Sequence, residues 1–161
     1  MEVLTRLFGK VTVDDDRIIN FPGGIVGFPN LQNFALMYDS ENTDGNSINF
    51  LVSLEEPAFA LPVMAPNIVR PDYDPMVEDD LMLPLGEFEE GMLVLVTVTV
   101  PHDVKKMTVN LMAPIIVNIK TKRAIQLIVS DDKYPVKFPI YDILAQAKEK
   151  AQDSGKAGKQ C

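Results

Sequence analysis

Val94-Leu95-Val96-Thr97-Val98-Thr99-Val100 places its valines on one face of an extended chain and Leu95, Thr97 and Thr99 on the other, the pattern of a half-buried strand. The same alternation spreads outward. Met107, Val109 and Leu111 alternate with Lys106, Thr108 and Asn110; Ile115, Val117 and Ile119 with Ile116, Asn118 and Lys120; Ile125, Leu127 and Val129 with Gln126, Ile128 and Ser130. Upstream, shorter strands are expected at Val3–Phe8, Lys10–Val13, Arg17–Phe21, Phe34–Tyr38, Ile48–Ser53 and Phe59–Val63. Turn residues divide them: Asp14-Asp15-Asp16, Pro22-Gly23-Gly24, Asp44-Gly45-Asn46 and Asp131-Asp132-Lys133. The reading is all-β, a mainly antiparallel small barrel or sandwich-like domain.

Prolines mark where the sheet is interrupted. Pro101, Pro114 and Pro135 fall at strand ends, where a missing N–H costs little, and Pro57, Pro62, Pro66, Pro71, Pro75 and Pro84 crowd one region. Residues 64–90 therefore read as a long Pro-rich, acidic excursion with irregular or short helical pieces. After Pro139, Ile140, Ile143, Leu144 and Ala147 form one apolar stripe at i, i+3, i+4 and i+7, which predicts one short C-terminal helix. Residues 1–151 are expected to be a single domain and 152–161 a flexible tail.

Composition excludes several functions. Fifteen Lys and Arg against 23 Asp and Glu leave a formal net charge of −8, which disfavours a direct, charge-driven grip on nucleic acid or an anionic membrane. The single His and single Cys, His102 and Cys161, cannot build a multi-histidine metal site or an internal disulfide. No phosphate-binding glycine loop, nucleophile elbow or paired C-x-x-C is present, so neither a catalytic constellation nor a cofactor or metal is expected. His102 sits in the turn Val100-Pro101-His102-Asp103 and Cys161 in the tail, where nothing holds a base beside it. The start, Met1 to Arg6, carries no signal-peptide pattern, and the most apolar run, Met92–Val100, is far short of the ~20 residues of a membrane helix. A cytoplasmic location is the expectation.

Charge distribution gives the candidate site. From Asp72 to Glu90 there are eight acids (Asp72, Asp74, Glu78, Asp79, Asp80, Glu87, Glu89 and Glu90) and no Lys or Arg. Such runs are usually solvated surface. Here Tyr73, Met76, Leu81, Met82, Leu83 and Phe88 are interleaved with the acids, and apolar anchors rimmed by charge compose an interface for a basic partner. Leu83 and Phe88 are the expected anchors.

Phe21-Pro22-Gly23-Gly24-Ile25-Val26-Gly27-Phe28 resembles the F-P-x-G-x-x-G-F signature of the flagellar assembly factor FliW family. The resemblance continues through Leu51-Val52-Ser53, Glu56-Pro57-Ala58-Phe59-Ala60-Leu61-Pro62-Val63, Pro66 and Tyr73. It ends with Thr108-Val109-Asn110-Leu111-Met112-Ala113-Pro114-Ile115-Ile116-Val117-Asn118, similar to the family's T-x-N-L-x-A-P-I-V-I-N block. It covers about residues 1–140. Where the family commonly has Leu-Gln-Ser, this chain has Val52 in the middle. The resemblance implies a non-enzymatic regulator that binds and antagonises the translational repressor CsrA, and that also binds flagellin, so that secretion of flagellin frees it. Two other readings stay open: a small barrel binding a metabolite or cofactor, and an enzyme using carboxylates that no motif reveals.

Most of the motif residues read as scaffold. Gly23, Gly24 and Gly27 give the backbone freedom for a tight reversal, and Phe28 is expected to anchor it in the core, so that Phe28→Ala would cost about 3–5 kcal/mol. Asn110 and Pro114 bracket a bend between two strands. Phe21, Pro22, Leu51, Ser53, Pro57, Pro66 and Leu111 are read as structural too.

Overall fold

Strand β7 (Met92–Thr99) organises the molecule, because its two faces enter two different cores. The computed structural model describes residues 2–5, 9–14, 17–38, 48–56, 59–75, 79–87, 91–129 and 133–146. The other strands are β1 (Glu2–Thr5), β2 (Gly9–Thr12), β3 (Ile18–Asn20), β4 (Asn33–Tyr38), β5 (Asn49–Ser53), β6 (Ala60–Met64), β8 (Thr108–Val109), β9 (Ile115–Asn118), β10 (Ala124–Gln126) and β11 (Phe138–Pro139). The main path runs β10-β9-β7-β6-β5-β4-β3 with every neighbour antiparallel, while β1 and β2 form a separate hairpin. The expected strands are present with their ends shifted by a few residues, residues 6–8 of the first lying outside the described residues; the pairing of β11 with β8 is an addition.

The two ends of this path meet. Asn20 forms a parallel bridge with Arg123, its N–H donating to Lys122 O at 2.8 Å, and Val26 N–H donates to Gln126 Oε1 at 2.9 Å. The sheet is thereby closed into a barrel of seven strands, whose interior receives side chains from each of them: Ile19, Phe34, Leu51, Val63, Leu95, Ile115 with Val117, and Ala124. Leu95 points inside, whereas Val96 and Val98 pack outside with Val109, Leu111 and Ile140. So the expectation that β7 is half-buried is corrected: an outer layer covers the valine face as well. All four residues of β9 are buried for the same reason.

That outer layer consists of β8 and β11, the segment following β6, and the C-terminal helix α2 (residues 141–146), which follows Pro139 as the stripe predicts. Ile140 and Leu144 of that stripe are buried; Ala147, Cys161 and the expected tail lie outside the described residues.

The F-P-x-G-x-x-G-F segment caps one end of the barrel. Phe21 is fully buried, edge-on to Phe34 at 5.2 Å, and Ile25 joins the interior. Gly24 lies at φ +71°, and a Cβ there would fall 2.5 Å from Pro29 Cα, so only glycine fits. Gly27, at φ +88°, then turns Phe28 outward. Phe28 is 46% exposed and rests on Phe59 at 4.8 Å, which corrects its expected place in the core; Phe21 holds that place. Phe28→Ala should therefore cost only about 1 kcal/mol in denaturant unfolding, the loss of one partly exposed ring pair.

Several of the remaining motif residues are covered. Leu51, Ser53, Leu111, Pro66 and Pro114 are buried. Asn110 Oδ1 accepts from Met112 N–H at 3.0 Å and shapes the bend before β9. Val52, where the family commonly has Gln, is fully buried. Pro57 lies outside the described residues.

Candidate functional site

The acidic segment starts at a built corner. Pro66 opens a 3-10 turn, Pro66–Ile68, and accepts from Val69 N–H and Arg70 N–H. The Arg70 guanidinium lies 5.0 Å from the Tyr134 ring centroid, donates to Lys133 O at 2.6 Å and pairs with Asp72 at 3.4 Å. Asp72 itself is exposed, so this ion pair adds little stability.

Tyr73 points inward. It is buried, meets Tyr134 edge-on at 4.6 Å, and donates its hydroxyl proton to Leu111 O at 2.7 Å. Burial, with Tyr134 beside it, pushes the phenol well above its ordinary pKa, so it stays a donor across the working pH range. Its expected place among the outward anchors is corrected: it is the pillar on which the segment stands. Tyr134 returns the favour to the backbone, its hydroxyl accepting from Asp74 N–H at 2.9 Å.

The segment then passes through helix α1 (Asp79–Met82) and a second 3-10 turn, Leu83–Leu85. Leu85 is fully buried against Ile116 and Leu127 on the outer face of β9 and β10. Asn118, buried at the end of β9, fixes the return. Its amide donates to Leu85 O at 2.8 Å and Glu87 O at 3.0 Å, while Oδ1 accepts from Lys120 N–H at 3.0 Å. Thr121 Oγ1 also donates to Leu85 O, at 3.1 Å. In the sequence Asn118 is a polar residue in an apolar strand just before Lys120-Thr121-Lys122, and that position is the signal that could have singled it out.

What this scaffold presents is acid beside an apolar groove. A cavity of about 290 Å³ runs between the segment and the sheet, with Asp74 and Asn67 on one side and Met82, Met92, Val94 and Ile116 on its walls. Asp80 and Glu87 are exposed, Leu83 is 72% exposed, and Met92 is 45% exposed. Asp79 lies in α1. Glu78, Phe88, Glu89 and Glu90 fall outside the described residues. Among the described acids, Asp74 lines the groove beside apolar side chains, and Asp80 and Glu87 stand exposed on the same segment. Among the described residues there is no group of three or more His, Cys, Asp or Glu able to hold a metal ion. No helix among them is long and apolar enough to cross a membrane. His102 is an exposed turn residue.

A second apolar surface, which sequence reasoning missed, lies around the barrel cap. Val26, Phe28, Ile128 and Val136 are each about half exposed or more and line a shallow cavity of about 310 Å³. Alternate residues of the cap point in and out, Ile25 in and Val26 out, and that alternation was the available clue.

Comparison with known proteins agrees with this architecture. The sequence model described as FliW protein matches residues 2–140. A flagellar assembly factor FliW of Lachnospira eligens is 46% identical over 146 residues, spanning 89% of this chain and 97% of the relative. One from Lachnoclostridium phytofermentans is 39% identical over 143 residues, spanning 88% and 92%. A crystal structure of the flagellar assembly factor FliW superposes with a TM-score of 0.78 at 25% identity, covering 88% of this chain and 97% of that one. With both sequence and barrel matched over nearly their whole extent, the chain belongs to the FliW family of flagellar assembly factors.

Proposed function

We propose that this chain is a non-enzymatic flagellar assembly factor that works in the cytoplasm by binding proteins: it antagonises the translational repressor CsrA, relieving repression of flagellin synthesis, and it also binds flagellin. The two partners compete for it, so free flagellin sets how much of it reaches the repressor. The observation that carries this reading is the groove lined by Asp74 and Met82, an apolar strip on the acidic segment that also exposes Asp80 and Glu87, with Tyr73 and Asn118 bonding that segment to the barrel. Its acids attract a basic partner over distance; its methionines adapt to the partner's apolar anchors at contact. An acidic antagonist needs no affinity for RNA itself.

The division of labour can be measured. A variant with Asp74→Asn, Asp80→Asn and Glu87→Gln should associate with CsrA several-fold more slowly at low salt and converge with the parent at high salt, as screened steering requires. Met92→Ala should leave association unchanged and speed dissociation by about tenfold. His102→Ala should change neither rate. Association that ignores these charges at every ionic strength would overturn the steering role. Strict competition with saturating target RNA would instead favour phosphate mimicry.

A further inference from the structure

Opposite the cap, the described residues leave an opening at the other end of the barrel. Its mouth leads into a cavity of about 460 Å³, a volume typical of small-ligand pockets. Interior side chains, Ile19, Leu36, Leu93 and Val117, form the floor, and the two charged residues among the described lining are both cations, Arg17 and Lys122. In a chain of net charge −8, an apolar well rimmed by two positive side chains and no described acid runs against the overall field. We propose that this mouth binds a small amphiphilic anion, a medium-chain carboxylate whose tail enters the barrel and whose headgroup meets Arg17 and Lys122.

Three observations favour that ligand class. First, both cations hang from fixed backbone. Arg17 N–H donates to Asp14 O at 2.9 Å just before β3, while Lys122 N–H donates to Asn118 O at 2.9 Å and Lys122 O accepts from Asn20. Second, Lys122 is the one described non-glycine residue in the left-handed region, at φ 60°, a conformation that glycine would adopt more cheaply. A long cationic side chain stands there instead. Third, the strands around the mouth are already paired, β3 with β4 and bridged to β10, and β9 with both β7 and β10. An alkyl chain needs no strand edge to pair with, so the well can take it without disturbing these pairings. The site is separate from the acidic groove, whose charges would repel the same ligand.

Decanoate and decanol, used as monomers below micelle formation, separate charge from tail. By NMR titration of the full chain, decanoate should give saturable shifts at Ile19, Leu93, Val117 and Lys122, and bind at least about tenfold more tightly than decanol, a difference of about 1.4 kcal/mol. Arg17→Gln with Lys122→Gln should abolish that preference while leaving the weak decanol binding. Leu93→Phe, which fills the well, should weaken both ligands. Equal binding of decanoate and decanol by the parent, or no saturable response at the mouth, overturns the proposal, and neither result depends on a variant folding. Retention of the anion preference in a double variant that melts like the parent overturns it as well.

Discussion

Phe21→Ala is expected to lower the free energy of unfolding by about 3–5 kcal/mol, the range for deleting a large buried aromatic side chain. The ring is fully buried at the capped end, edge-on to Phe34, and packed in an interior to which all seven barrel strands contribute. Its backbone is engaged as well: Phe21 N–H donates to Gln32 O at 2.7 Å, and Phe21 O accepts from Gly24 N–H at 2.9 Å. Neighbours locked by their own strand pairings cannot collapse into the space, so the cavity term adds to the lost burial. Urea unfolding should show the midpoint falling with little change in slope. A loss below about 1.5 kcal/mol would mean that the interior relaxes around the missing ring.

Asn118→Leu should destabilise the protein by about 2–3 kcal/mol although it keeps the number of side-chain heavy atoms, because one substitution removes four hydrogen bonds of a buried amide and leaves part-buried backbone groups without that partner. Glu87 O loses its donor, Lys120 N–H and Thr121 N–H lose their acceptor, and Leu85 O keeps only Thr121. The damage should be directional. Limited proteolysis should find new cleavage at Leu83–Glu87 before the barrel melts, and the partner rates should change with it. Asn118→Asp, which retains the acceptor oxygen and loses the donor, should fall between the two. A fully active Asn118→Leu with parental stability would show that the acidic segment does not depend on this pin.

The strands were legible because alternation is local: Val94–Val100 and Ile115–Ile119 announce themselves within a few residues. Which face enters the barrel was not legible, since Ile115, Ile116 and Val117 are all apolar and both faces are covered. Phe21 and Phe28 look equivalent in the signature; only the left-handed turns at Gly24 and Gly27 decide which ring goes in. The acidic stretch was visible as charge. The inward direction of Tyr73 was not, because its partners, Leu111 and Tyr134, lie far along the chain. Asn118 escaped for the same reason: its role is fixed by carbonyls more than thirty residues upstream.

Closure of the ring rests on a narrow seam. Among the described residues, β3 and β10 are joined by one bridge and, at the cap, one side-chain bond between residues 100 apart in sequence. Every other junction of the path is an antiparallel ladder of two to five paired residues. The seam therefore joins the most distant parts of the chain with the fewest bonds, so it forms late in folding and is the cheapest junction to part. A cylinder built this way behaves as a rolled strip with a zip: the strip persists when the zip slides, and the interior gains a side door that no static opening at either end provides.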